Sequence, residues 1–241
     1  MPSLDLCYLL SAICCLLSSV RMLHLGSIGG TSIDIDFSFF LLIFFFAIQS
    51  YDQGLAHALV WAPVIFVSIL FHELAHAAMI GIFGFGSSHI VLGGMGGVTI
   101  NERRARPWQD MLISVAGPIS SFLLALICFQ VELRVPRAHT DPMLVAFLPL
   151  MVWVGVVWGI LNFMPVPPLD GGRALRNLLR TFLRENVAFM ISIWIAFLFG
   201  ALAIAYGLWT KDYFIAVLFA WFTFNNFQQW QEYRHRGFPG D

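Results

Sequence analysis

Charge is what this sequence has least of. Only 11% of its 241 residues are Asp, Glu, Lys or Arg, the net charge is −1, and no long basic run occurs. Nucleic acid is thereby excluded as a partner, and so is a surface that water alone would solvate. No C-x-x-C pair occurs among Cys7, Cys14, Cys15 and Cys128, so a thiolate metal site is not indicated and these cysteines read as free buried thiols. What remains is apolar. With 59% hydrophobic residues, the chain has the content of about six membrane spans of roughly 20 residues each and little left for a soluble module. The expected fold is therefore an all-α polytopic membrane protein carrying short membrane-associated β-strands or hairpins. Residues 1–241 read as one membrane-embedded domain, with a core at 21–180 and C-terminal helices at 181–241.

The first 20 residues are ambiguous. Leu4 to Val20 has the apolar length of a signal peptide, yet the leader MPSLD carries an acid where a base is usual, which disfavours cleavage. A short first span, an interfacial helix and a translated extension all stay open. Between Arg21 and Asp36, glycines and apolar/polar alternation suggest a strand or hairpin. Apolar helices are expected at about 37–50, 56–82, 110–130, 143–164, 187–208 and 213–227. A second glycine-rich, β-prone piece, GSSHIVLGGMGGVTI, ends at Ile100. Irregular backbone is tolerated at membrane depth only beside protein or a watery cavity, so both pieces should approach such a cavity. Counting six crossings puts Arg21, Arg103, Arg104, Arg106, Arg173, Arg176, Arg180, Arg184, Arg234 and Arg236 on one side, against Arg134, Arg137 and Lys211. The positive-inside rule makes the first side, and the C-terminus with it, cytosolic.

Inside the apolar segment FVSILFHELAHAAMIGIF stands His72-Glu73-Leu74-Ala75-His76. On a helix, positions i and i+4 share a face, so both imidazoles can hold one zinc ion while Glu73, about 100° round the axis, reaches the water of that ion. Ionisable side chains cost on the order of 2–3 kcal/mol each at the centre of a span. Three of them within five residues therefore demand a compensating partner, and a metal is the economical one.

Two imidazoles leave zinc short of ligands. Leu161 to Gly172 reads LNFMPVPPLDGG and closes an apolar span with three prolines, which break the helix. Asp170, followed by two glycines that permit close approach, is the candidate third ligand. Alone it would equally well cap a basic helix from about Arg173 to Arg184. The unfilled coordination beside H-E-x-x-H favours the metal.

HELAH in one span and NFMPVPPLDGG at the end of a later one resemble the paired signatures of site-2 intramembrane metalloproteases. The likeness extends over roughly Arg21 to Arg180. It includes Ala116-Gly117-Pro118-Ile119-Ser120-Ser121 in the third expected helix, similar to the family's small-residue motif with Ser121 where asparagine is often found. The resemblance implies a metalloendopeptidase with one Zn2+ per chain, His72, His76 and Asp170 as ligands, and Glu73 as general base and acid. It implies Asn162 as a polar group near substrate. The expected substrate is a membrane protein whose transmembrane helix is unwound to a strand, and the edge from Val91 to Ile100 is suited to capturing it by main-chain pairing. Gly93, Gly94, Gly96 and Gly97 either open that edge to substrate or only shape its turn. His24 and His89, in the β-like pieces, are secondary candidates for contact near the zinc. Many relatives carry a PDZ or CBS domain for which this chain has no space, so it resembles a minimal core, and regulation would fall to a separate membrane partner. The competing classes are a non-hydrolytic zinc-binding membrane protein, such as a transporter or pseudo-protease, and a different intramembrane enzyme such as a prenyl-protein protease. The first has no use for Glu73 and the second none for Leu169-Asp170-Gly171-Gly172.

Overall fold

A computed structural model describes residues 22–102, 105–135 and 141–236. The N-terminal apolar segment, Cys7, Cys14, Cys15, Arg21, Arg103, Arg104 and Arg137 lie outside the described residues. Cys128 is buried and free.

The glycine-rich pieces do form strands. β1 (Leu23–Ile28) and β2 (Thr31–Ile35) make an antiparallel hairpin around Gly29 and Gly30, both at positive φ, as a tight two-residue turn requires. After β2, Asp36 caps α1 (Phe37–Gln49) by accepting from Ser38 N at 2.8 Å. A 3₁₀ turn and α2 (Leu55–Ile82) follow, and the chain returns as β3 (His89–Gly93) and β4 (Gly96–Ile100). β3 lies parallel to β2, with Ile33 beside Ile90 and Ile35 beside Leu92, while β4 runs antiparallel to β3. The sheet order is β1-β2-β3-β4, leaving β4 at an edge. Ile33, Ile35, Ile90 and Leu92 point down into one core with Phe39, Val64, Ile69 and Met151, so α1 and α2 form a crossover packed beneath the sheet.

The helices α3 (Pro107–Glu132), α4 (Pro142–Phe163), α5 (Asp170–Phe182), α6 (Glu185–Thr210) and α7 (Tyr213–Arg236) complete the fold. α3 packs on α2, α4 and α5, and α7 packs chiefly on α6. Among the described residues, four helices are long and apolar enough to cross a membrane: His57–Ile82 within α2, α3, Met143–Phe163 within α4, and α6. Of the six spans expected, four meet this length and composition among the described residues. Thirteen residues in α1 rise only about 20 Å against a hydrocarbon core of about 30 Å. α7 is long, but its second half, NNFQQWQEYRHR, is polar. The charge asymmetry survives on these four spans alone. Arg106, Arg173, Arg176, Arg180 and Arg184 lie at one end, and Arg134 and Lys211 at the other.

Candidate metal centre

α2 carries His72, Glu73 and His76 at 2%, 4% and 6% exposure, respectively. These are among the most polar side chains in the bundle and also among the most enclosed. The break after α4 returns the chain towards them, and Asp170 opens α5 with Leu169 as its N-cap. Asp170 therefore does not cap the basic helix. Its Oδ2 lies 2.9 Å from His72 Nε2 and 3.2 Å from His76 Nε2, and the two ring nitrogens are 3.2 Å apart.

The surrounding hydrogen bonds decide what these three atoms carry. His76 Nδ1 faces the Ile113 carbonyl at 2.6 Å, an acceptor only, so that nitrogen holds the ring proton. His72 Nδ1 is 2.9 Å from Ser121 Oγ, whose hydroxyl donates to the Gly117 carbonyl at 3.3 Å; this nitrogen is also the protonated one. Both Nε2 atoms then present lone pairs towards Asp170. Three proton-free donors at mutual separations of 2.9–3.2 Å match the roughly 3.3 Å between neighbouring ligands of a tetrahedral ion with bonds near 2.0–2.1 Å. Their softness and type, two imidazoles and one carboxylate, suit zinc. His72, Glu73 and His76 also bring their ligand atoms within 4.8 Å of one another.

Two close approaches shape the pocket. A Cβ at Gly117 of α3 would fall on His76 Nε2 and His72 Nε2, and one at Gly97 of β4 would fall on the Glu73 carboxylate. Two residues further along the same face of β4, Thr99 Oγ1 donates to Glu73 Oε2 at 2.7 Å. A cavity of about 470 Å³ opens from this point, lined among others by Thr99, Asn101, Asp110, Trp158, Asn162 and Arg173. Replacing Gly97 with Ala must displace the Glu73 carboxylate and break its bond to Thr99. A loss of about 10²-fold in hydrolysis is expected, with metal content unchanged by elemental analysis.

The other sequence candidates divide. Asn162 lines the cavity and donates back to the Trp158 carbonyl at 3.0 Å. Gly97 lines it too, whereas Gly93 and Gly94 pack on Ser38 of α1 and Gly96 sits under the Trp158 ring. His24 and His89 are drawn away from the cavity, each donating to one carboxylate oxygen of Asp34 at 2.6 Å. The His24 bond is the larger cause holding Asp34 below the usual carboxylate range, against the opposing effect of burial. Thr99 was not singled out from sequence. The available signal was its position two residues after Gly97, which puts both on one face of a strand.

Residues 38–167 match the Peptidase M50B-like family and residues 131–205 match Peptidase family M50. The chain is 27% identical over 228 residues to a candidate zinc metalloprotease of Synechocystis, covering 85% of this chain and 58% of that protein. It is 27% identical over 158 residues to the zinc metalloprotease MJ0392 of Methanocaldococcus jannaschii, covering 65% of this chain and 45% of that protein. The chain thus spans about half the length of these relatives. Its fold is similar to the structure of the site-2 protease from Methanocaldococcus jannaschii, with a TM-score of 0.58, 22% identity, and coverage of 86% of this chain and 94% of that one.

Proposed function

Because the chain belongs to the Peptidase M50B-like family, within the site-2 protease group, we propose that it is an integral-membrane zinc metalloprotease hydrolysing peptide bonds of membrane proteins within or beside the bilayer. The observation that carries this is the convergence of His72, His76 and Asp170, from elements almost 100 residues apart, beside a buried glutamate that opens on a cavity. His72, His76 and Asp170 would hold one zinc ion per chain, which would supply a Lewis acid for the peptide carbonyl and would lower the pKa of water to about 7. Glu73 takes the proton of the attacking water and passes it to the leaving amine. Thr99 holds its carboxylate in place for both transfers. Gly97 leaves the room in which the carboxylate stands.

A helical substrate hides its carbonyls, so it must enter unwound. The free edge of β4 offers main-chain donors and acceptors directly over Glu73, which suits β-strand addition. Asn162 and Trp158, which line the same cavity, contact the strand so held. The cavity opens towards the cytosol, a reading supported by Arg106 and Arg173 at the same end of the spans. The reaction is regulated intramembrane proteolysis, and a membrane partner takes part in its regulation.

The test is metal removal. Cleavage of a transmembrane substrate by the purified protein in micelles should cease when 1,10-phenanthroline strips the metal and return with stoichiometric Zn2+. His72→Ala should show no return. Activity that persists without metal would sink the proposal.

A further inference from the structure

α7 lies largely outside the family matches, which end at 167 and 205, yet it reaches the backbone that delivers Asp170. Asn226 is wholly buried on this helix. Its Nδ2 donates both to the Phe222 carbonyl one turn back, at 2.9 Å, and across to the Pro167 carbonyl, at 2.7 Å. That carbonyl belongs to the stretch Pro165-Val166-Pro167-Pro168, where three residues lack an N–H and the helical ladder has stopped. Its polar groups need partners from elsewhere at this depth.

The link onward to Asp170 is short and stiff. Val166 is fully buried in an apolar cluster with Phe219 and Phe222 of α7 and Ala196 of α6. Gly172, in the first turn of α5, lies so close to Pro167 that a Cβ there would overlap its nitrogen. Leu169 N donates to the Val166 carbonyl at 2.9 Å. The position of Pro167 therefore sets where α5 begins and where Asp170 points. Asn226 Oδ1 is buried with no hydrogen-bond partner among the described residues.

We infer that Asn226 is a positioning residue of the metal centre: its amide fixes the Pro167 carbonyl and, through it, the backbone that presents Asp170 to His72 and His76. This rests on the zinc site proposed above. It makes the C-terminal helix part of the machinery that grips the ion.

The full chain in detergent micelles is titrated with Zn2+ against a chromophoric chelator. Asn226→Leu keeps the branched outline and removes the donor, and its zinc dissociation constant is expected to rise 10- to 100-fold. Thr223→Val alters a neighbouring buried hydroxyl that has no partner among the described residues, and should bind as the wild type does. The melting temperature of the chelator-stripped proteins separates lost metal affinity from a loosened helix. Wild-type affinity in Asn226→Leu would overturn the inference, as would an equal loss in Thr223→Val. Should the leucine variant fail to fold, Asn226→Ala is read instead; failure of both overturns the positioning role in favour of a plainly structural one. A wild-type protein that binds no zinc would overturn the metal centre itself and this inference with it.

Discussion

Glu73→Gln is expected to keep its zinc and lose about 10²- to 10⁴-fold in peptide hydrolysis, the range that general acid–base catalysis supplies. The amide is nearly isosteric with the carboxylate and still accepts from Thr99 Oγ1, so the pocket should hold its shape. What it cannot do is take up a proton. His72, His76 and Asp170 are untouched by the change, and zinc content measured on the purified variant should match the wild type. Single-turnover cleavage of a transmembrane substrate gives the other half of the test. Cleavage at the wild-type rate would refute the mechanism and leave a zinc-binding protein without hydrolytic chemistry. Zinc lost together with cleavage would instead make Glu73 a ligand.

Gly117→Ala should strike the metal centre directly. The added carbon would coincide with both ring nitrogens that face Asp170, and neither imidazole is free to turn. His72 is tied through Nδ1 to Ser121, and His76 to the Ile113 carbonyl. All of these partners sit on α3 itself, so relief would require α3 to withdraw from α2, α4 and α5, against which it is packed. Zinc affinity is expected to fall at least about 10²-fold, with about 1–3 kcal/mol of overpacking strain besides. Isothermal competition with a chelator measures the first and thermal melting of the stripped protein the second. Tight, stoichiometric zinc in this variant would mean that the imidazoles do not hold the ion through Nε2.

The side chains that converge at the centre were legible in sequence because each violates its surroundings. His72, Glu73 and His76 stand in an apolar helix, and Asp170 follows a proline cluster that ends another. Such departures are costly enough in a bilayer to announce themselves. The two β pieces were visible for a similar reason, as glycines and alternation between helical runs. The parallel pairing of β2 with β3 was not, because its partners are separated by α1 and α2 and nothing local records which strands meet. Thr99 and Asn226 were also silent. A threonine in a strand and an asparagine in a half-polar helix are locally ordinary, and only tertiary packing brings one to Glu73 and the other to Pro167. The expected span count goes beyond these four helices where an apolar pattern was read without its length. α1 is too short, and α7 turns polar halfway along.

The hairpin between β3 and β4 pairs Gly93 with Gly96, and Leu92 with Gly97. Its turn is pinned where Gly94 N donates to Ser38 Oγ at 2.8 Å. Alternate residues of a strand face opposite ways, so a slip of one position would turn Gly97 and Thr99 outward and bring Val98 and Ile100, now more than half or nearly half exposed, over Glu73. Two branched hydrocarbons would then cover a carboxylate that needs water. The proposed peptide-bond chemistry is thus indexed by a turn of two residues in the hairpin that follows the helix carrying the glutamate.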